Sequence, residues 1–395
     1  MYKVGIVGAG VGGSFLSYLL SKKGLNIIVF DFRVPHEKLC GGGVTYKTAV
    51  KFPILDELPC ARRNVFRSNI ISPKDKVVTV DFERPLKIFN RRDLDYSLLK
   101  KAIEFGAHFR KEKVQSITLE GDHWRIFTPD GDYRARILVG ADGVLSRTRR
   151  ELKLPSLRGD CFFALECFLD VQSDFVIYKF FPDVEGYLWA FPRVDSLAVG
   201  MVSRDRTRRR FSDTKERLFH FIDRYYPGQT GKISLRGAYI PLFSAKDIQD
   251  ANICSTNWAL IGDAAAFVDP ISGEGIYYTM YSAEILAECI MENRVPMYQQ
   301  LCQEHFGANL LKASQGFECF YQAGFIETML ALAEKSQSIH QILSEMIIGN
   351  LDYVSWKSRL KRNSFKILAD FIFNADVATK KEVITNLAKL LPNYR

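Results

Sequence analysis

Apolar positions open the chain as short unbroken runs. Lys3-Val4-Gly5-Ile6-Val7 has the character of a buried parallel strand. Gly8-Ala9-Gly10-Val11-Gly12-Gly13 follows at once, then a helical pattern from about Ser14 to Lys23 with Phe15, Leu16, Leu19 and Leu20 on one face. Gly24 stands where a helix C-terminus favours glycine, Asn26 to Phe30 reads as a second strand, and Asp31 stands at its tip. Asn69 to Val78 predicts a hairpin around a Pro73-Lys74-Asp75 turn. Asp93 to Phe105 predicts an amphipathic helix, and 113–119, 123–127 and 132–139 predict short strands. The pattern changes over 161–203, which is aromatic and β-prone and reads as the antiparallel sheet of a second domain. Trp258-Ala259-Leu260-Ile261 returns to the glycine-punctuated style of the opening, and from about 297 onward the pattern is mostly helical.

Composition narrows the class. With 395 residues, 47% hydrophobic and 25% charged, the chain can bury a large core and hold two or three units. Disordered, collagen-like and small disulfide-stapled classes are excluded. No apolar run approaches the roughly 18 residues of a spanning helix, so none is expected. A first strand beginning at Tyr2 leaves no room for a signal peptide, and a cytoplasmic location is expected. The eight cysteines form no C-x-x-C pair and the six histidines are scattered, so no metal site is expected and the thiols are read as reduced. Lys+Arg 54 against Asp+Glu 45 leaves +9, which suits an anionic partner. No nucleic-acid recognition module accompanies that charge, so nucleic acid is not expected. The run Arg204-Asp205-Arg206-Thr207-Arg208-Arg209-Arg210 reads as a solvated loop or as a contact for a substrate diphosphate or anionic lipid headgroups.

Three motifs carry chemistry. In Gly8-x-Gly10-x-x-Gly13, the first glycine permits the tight turn, the second lets backbone approach a pyrophosphate, and the third lets helix and strand pack closely. The helix N-terminus offers N–H donors to phosphates, and Asp31, at the next strand tip, can accept from ribose hydroxyls. The second motif is Leu138-Val139-Gly140-Ala141-Asp142-Gly143. The third is Leu260-Ile261-Gly262-Asp263, followed by Pro270-x-x-Gly273-Glu274-Gly275. Both set a carboxylate and glycines directly after an apolar strand, where polyol hydroxyls can be held and a ligand can come close.

In this order the three motifs resemble the FAD-binding fold of the aromatic-hydroxylase-like flavoproteins. That resemblance implies that Asp263 binds the ribityl chain, that Asp142-Gly143 lies near the pyrophosphate side, and that Arg91 of Arg91-x-x-Leu94-Asp95 approaches FAD. A narrower resemblance is to the geranylgeranyl reductase family. Lys38-Leu39-Cys40-Gly41-Gly42-Gly43 is similar to its Lys-Pro-Cys-Gly-Gly segment, with Leu39 in place of proline. Tyr187-Leu188-Trp189-Ala190-Phe191-Pro192 matches its Tyr-x-Trp-x-Phe-Pro signature, and Asp269 to Ile276 its flavin-side loop. The resemblance implies an α/β fold: a discontinuous Rossmann-like FAD domain (1–43, 90–157, 251–296), a β-sheet substrate domain (44–89, 158–250) and a helical C-terminal region (297–395).

The implied activity is saturation of C=C bonds in a polyprenyl chain on a diphosphate, lipid or quinone. Isolated alkenes are unpolarised, so the protein must position them by shape. Tyr187, Trp189 and Phe191 alternate along a strand and share one face, which makes an aromatic wall or a core stripe. The resemblance selects the wall, with Pro192 at its end, and sets Cys40, Gly41, Gly42, Gly273, Glu274, Gly275 and Ile276 beside the cofactor. Cys40, Tyr187 or a water supplies the proton. With no second glycine-rich nucleotide fold, electrons are expected from NAD(P)H binding transiently, or from reduced ferredoxin or another small electron-transfer protein. Peripheral contact with an anionic membrane is expected, because prenyl chains are rarely free in water. The same FAD motifs also serve aromatic-hydroxylase-type monooxygenases, the alternative reading. A flavin-dependent halogenase would need a catalytic lysine that the sequence does not locate, and a non-catalytic FAD-bound membrane-surface protein is the remaining class.

Overall fold

The opening runs fold as their periodicity requires. Strand β1 (Tyr2–Val7) leads through the glycine turn into helix α1 (Val11–Lys22) and on to β2 (Ile27–Phe30). The helix begins at Val11, ahead of Ser14, because Gly10 takes extended backbone (φ −69°, ψ −170°) and stands as its N-cap. This computed structural model describes residues 1–157, 161–204, 210–242 and 252–390. Next come β3 (Gly43–Val44), α2 (Tyr46–Lys51), α3 (Ile54–Glu57) and the long hairpin β4 (Arg62–Ile71) and β5 (Val77–Phe89). Helix α4 (Arg91–Glu104) precedes β6 (His108–Arg110), β7 (Ser116–Glu120), β8 (His123–Thr128), β9 (Gly131–Gly140) and α5 (Arg147–Glu151). The aromatic stretch supplies β10 (Cys161–Leu169), β11 (Val176–Phe180), β12 (Gly186–Pro192) and β13 (Leu197–Ser203), followed by α6 (Arg210–Tyr225) and β14 (Arg236–Pro241). After β15 (Trp258–Leu260) the chain is helical: α7 (Ile276–Met291), α8 (Tyr298–Cys302), α9 (Ala308–Phe320), α10 (Ala323–Lys335), α11 (Gln337–Ile347), α12 (Tyr353–Asn374) and α13 (Val377–Leu390).

Two sheets organise these elements. The first has the order β6-β2-β1-β9-β8-β7, with β15 beside β9. Its strands β6, β2, β1, β9 and β15 are parallel, and β9, β8 and β7 form an antiparallel meander. Val4 and Ile6 of β1 and the whole of β2 are buried, which explains their unbroken apolar character. Helix α1 packs against α4 and α7, and the tip of β1 delivers the glycine turn between β2 and β9.

The second sheet has the order β14-β10-β13-β12-β11-β4-β5-β3. It is antiparallel except where Val176–Lys179 of β11 run parallel to Ser68–Ile71 of β4. The expected sheet over 161–203 therefore forms, but it joins the earlier hairpin through one parallel pair, a long-range pairing that local periodicity does not carry. Its two faces are buried differently. Leu188 and Ala190 of β12 face a core completed by Leu218, Phe221 and Ile222 of α6. Trp189 and Phe191, on the opposite face, share a core with Phe317 of α9, Ile326 of α10 and Ile342 of α11. Phe52 and Leu55, beside α2 and in α3, pack into the core of the first sheet. Of the basic run, Asp205 to Arg209 lie outside the described residues, while Arg204 Nη1 stands 3.5 Å from Glu185 Oε2. Among the described residues, no helix is long and apolar enough to cross a membrane.

Candidate functional site

A continuous cavity of about 360 Å³ is lined by the glycine turn, the loop 38–43, strands β11 and β12, the loop 262–275, and helices α9 to α12. That volume lies within the ~300–1,000 Å³ of an ordinary small-molecule pocket. Its two ends differ in chemistry.

The polar end begins at the N-terminus of α1, where Gly10, Val11 and Gly12 border the cavity and no side chain caps the helix. Gly8 and Gly13 stand behind this wall. A Cβ on Gly13 would lie 1.9 Å from the Gly8 carbonyl oxygen, so only glycine permits this approach of helix to strand. Asp31 is also behind the wall, buried, and its Oδ2 accepts from Ala9 N at 3.0 Å, fixing the turn. Arg91 opens α4 and reaches the cavity, its guanidinium paired in two parallel bonds with Asp95 (2.9 and 2.8 Å). Asp263 lies on the cavity, paired with Lys38 Nζ at 2.7 Å. Gly143 and Gly262 line it as well, whereas Asp142 does not. Asp142 instead accepts from Ser146 Oγ, Thr148 N and Thr148 Oγ1, closing the turn into α5, and burial pushes its carboxyl up against those bonds.

Two loops meet where the ends join. In the first, Cys40, Gly41 and Gly43 line the cavity while Gly42 sits behind. Gly42 has φ +80°, and a Cβ there would lie 2.0 Å from the Phe89 carbonyl oxygen; a Cβ on Gly41 would strike the Phe191 ring at 2.7 Å. The glycine run is thus pressed between a strand and an aromatic side chain. Arg193, buried immediately after the Tyr-x-Trp-x-Phe-Pro segment, holds this loop. It donates to Glu37 Oε1 and to the Cys40 carbonyl, both at 2.6 Å. Glu37 also accepts from the backbone N–H groups of Arg91 (3.1 Å) and Arg92 (3.0 Å), so one carboxylate ties loop, strand and helix together. Glu166, fully buried on β10, has Arg193 Nη2 4.0 Å away, and its carboxyl is pushed up to about 8 by burial.

The second loop, 269–275, folds on Asp269, whose Oδ1 accepts from Ile271 N (2.8 Å) and Ser272 N (3.1 Å). It is held from both sides: Tyr187 Oη donates to the Ser272 carbonyl, and Tyr321 Oη donates to the Ile271 carbonyl at 2.6 Å. Gly273, Glu274, Gly275 and Ile276 all line the cavity. Glu274 Oε1 accepts from Thr45 Oγ1 (2.9 Å) and Thr48 Oγ1 (3.0 Å). Enclosure in the protein raises its carboxyl above the ordinary value, against those two bonds.

The apolar end is walled by Tyr187, Trp189 and Phe191, which point to one face as their alternation predicts. Pro192 ends the strand opposite Leu197 and does not reach the cavity. Gly200, directly across from Trp189, makes room for the indole: a Cβ there would lie 2.2 Å from its Cζ2. Tyr178 packs edge-on against Phe191 (centroids 5.4 Å apart) and Phe180 against Phe320 (6.0 Å), continuing the wall into the C-terminal helices. The sequence reading did not single out Tyr178, Phe180, Tyr321, Arg193 or Glu37. The arginine directly after the aromatic signature was the available signal for Arg193.

No family model matches the chain. An uncharacterized protein of Methanosarcina barkeri is 31% identical over 301 residues, covering 73% of this chain and 74% of its own length. A digeranylgeranylglycerophospholipid reductase of Methanosphaerula palustris is 25% identical over 312 residues, covering 74% of this chain and 76% of its own. Among solved structures, a geranylgeranyl bacteriochlorophyll reductase-like protein of Thermoplasma acidophilum superposes with a TM-score of 0.74 at 22% identity, over 92% of this chain and 98% of that one. The chain belongs to the geranylgeranyl reductase family of FAD-dependent oxidoreductases.

Proposed function

We propose that the protein binds FAD and saturates C=C bonds of a polyprenyl chain carried on a lipid, diphosphate or quinone. The observation that carries this reading is the continuity of one cavity from a polar end built around a glycine turn to an apolar end walled by aromatic side chains. The relative from Methanosphaerula palustris, named for reduction of a geranylgeranylated phospholipid, supports the substrate class.

The residues present suit FAD. The uncapped N-terminus of α1 faces the cavity, held there by the Gly13-to-Gly8 approach that any Cβ would block. Arg91, on the cavity and paired with Asp95, would stand toward the phosphates, and Asp263, paired with Lys38, would accept from ribityl hydroxyls. Asp31 orients the turn from behind the wall, its oxygens accepting from Ala9 N and Arg33 N. Bound FAD, once reduced, supplies the hydride for one alkene carbon. The remaining work belongs to the chain. Tyr187, Trp189 and Phe191 exclude water and hold the alkene by shape. The uncapped N-terminus of α7 favours negative charge near the 273–275 turn.

The second alkene carbon needs a proton. Of the groups named from sequence, Tyr187 already donates its hydroxyl to the Ser272 carbonyl, and burial raises its pKa far above 10.0. Cys40 Sγ accepts from Gly42 N at 3.4 Å. Glu274 suits the task better. Its Oε1 is held by two threonines, no other hydrogen bond engages Oε2 among the described residues, and its enclosure favours the acid form. Glu274 gives its proton from that position and recovers one from water. Electrons arrive from NAD(P)H or a reduced ferredoxin, and the protein works in the cytoplasm at a membrane surface.

The cofactor is tested first. The purified protein is expected to be yellow and to release roughly one FAD per chain on acid denaturation. Colourless protein that takes up no FAD on titration overturns the reading.

A further inference from the structure

Helix α12 is apolar on two opposite sides. At 100° per residue, Trp356, Leu360, Ile367 and Phe371 share the inward side. Trp356 lines the cavity and meets Phe325 edge-on at 6.0 Å, and Leu360 and Ile367 pack on the core shared with β12. The outward side carries Phe365 (85% exposed), Leu368 (56%), Ile372 (51%) and Phe373 (84%), and Val377 (82%) continues it at the start of α13. A helix that only covered a core would carry polar residues there. Lys361, Arg362 and Lys366, all exposed, stand along the same outward stripe. The helix has one carboxylate, Asp370, which is turned away and accepts from Ser336 Oγ at 2.8 Å.

From this we propose that the outward stripe of α12, with Val377, docks the protein on an anionic lipid bilayer. Two observations choose that occupant. Along α12 the patch combines large apolar side chains with cations and no outward acid, and Asp376, exposed beside Val377, is engaged by Thr379 N and Oγ1; this suits insertion among acyl chains below negative headgroups. The same helix begins at the cavity, where Tyr353 and Trp356 form part of the lining, so one continuous helix joins the docking stripe to the apolar end of the site. The proposal deepens the polyprenyl reading and rests on it for the purpose of docking, though not for the existence of the surface.

The test is flotation of the whole protein with vesicles of phosphatidylcholine, with and without phosphatidylglycerol. Binding is expected to need phosphatidylglycerol and to weaken with salt. The double variant Phe365→Asp/Phe373→Asp is expected to bind about a hundredfold more weakly. Both positions are exposed, so its thermal midpoint should match the wild type. Lys361→Glu/Lys366→Glu should bind more weakly and lose the salt dependence. Wild-type protein that ignores anionic vesicles, or variants that bind as it does, overturn the proposal. A wild-type dimer that the Phe365→Asp/Phe373→Asp change converts to monomer also overturns it, since a second copy then covers the stripe. Reduction of a detergent-dispersed prenyl diphosphate is measured in parallel. Vesicle binding without reduction leaves the surface standing and removes the reductase reading; reduction without vesicle binding does the reverse.

Discussion

Glu274→Gln is expected to lower turnover of a prenyl substrate by roughly 10²–10⁴-fold, the usual contribution of a positioned general acid. The amide oxygen can still accept from Thr45 and Thr48, so the side chain should keep its place, and FAD content and substrate affinity should change little. What is lost is the acid proton. The pH profile provides a second readout. Enclosure raises the Glu274 carboxyl above the ordinary 4.5, and its protonated form is the active one. Activity is therefore present below the folded-state pKa and falls as pH rises through it. In the Gln variant that limb should vanish from the residual rate. A Gln variant that keeps the wild-type rate and pH limb would remove Glu274 from the reaction.

Arg193→Met is expected to destabilise the fold by about 3–5 kcal/mol and to release FAD, because it removes one partner of a buried charge cluster. The methionine leaves Glu37 with only the backbone N–H groups of Arg91 and Arg92, the Cys40 carbonyl without its arginine donor, and Glu166 without the cation 4.0 Å away. The loop 38–43 would then be held mainly by the contact of its glycines with Phe89 and Phe191. Lysine at this position should recover little, since a single ammonium cannot reproduce the forked pair of bonds. Adding Glu166→Gln is expected to recover little below about pH 8, because burial pushes that carboxyl up to about 8 even with the arginine present and loss of the cation raises it further, so the acid is already protonated. Urea unfolding and the absorbance of bound flavin read the two effects separately. A variant that loses less than about 1 kcal/mol and keeps its FAD would show that the cluster does not hold the loop.

The parts of this molecule legible in the sequence are those set by local rules. The turn after β1 needs glycine where helix and strand come within contact, at Gly8 and Gly13, and the triplet is legible because a strand precedes it, a helix follows and Asp31 stands at the next strand tip. Tyr187, Trp189 and Phe191 reach one cavity because strand alternation leaves them no other course. The parts that were hidden depend on distant pairing. Asp142 looked available to a ligand at its strand tip, yet Ser146 and Thr148 take both of its oxygens within the next six residues. Gly200 is an ordinary strand glycine until its register opposite Trp189 is known. The clamp of Arg193 on Glu37 spans 156 residues, and the grip of Tyr321 on the 269–275 loop spans 50. Helices α9 to α12 show only helical periodicity in the sequence. Their contribution to the apolar end follows from how they pack across the second sheet.

The most direct measurement is anaerobic. The protein is reduced with dithionite, freed of excess reductant, and given geranylgeranyl diphosphate or a geranylgeranylated lipid. The account predicts that the flavin reoxidises without oxygen and that the product is heavier by two hydrogens for each bond saturated. A flavin that stays reduced until oxygen is admitted, and then transfers oxygen to an aromatic substrate, would contradict the account and make the protein a monooxygenase.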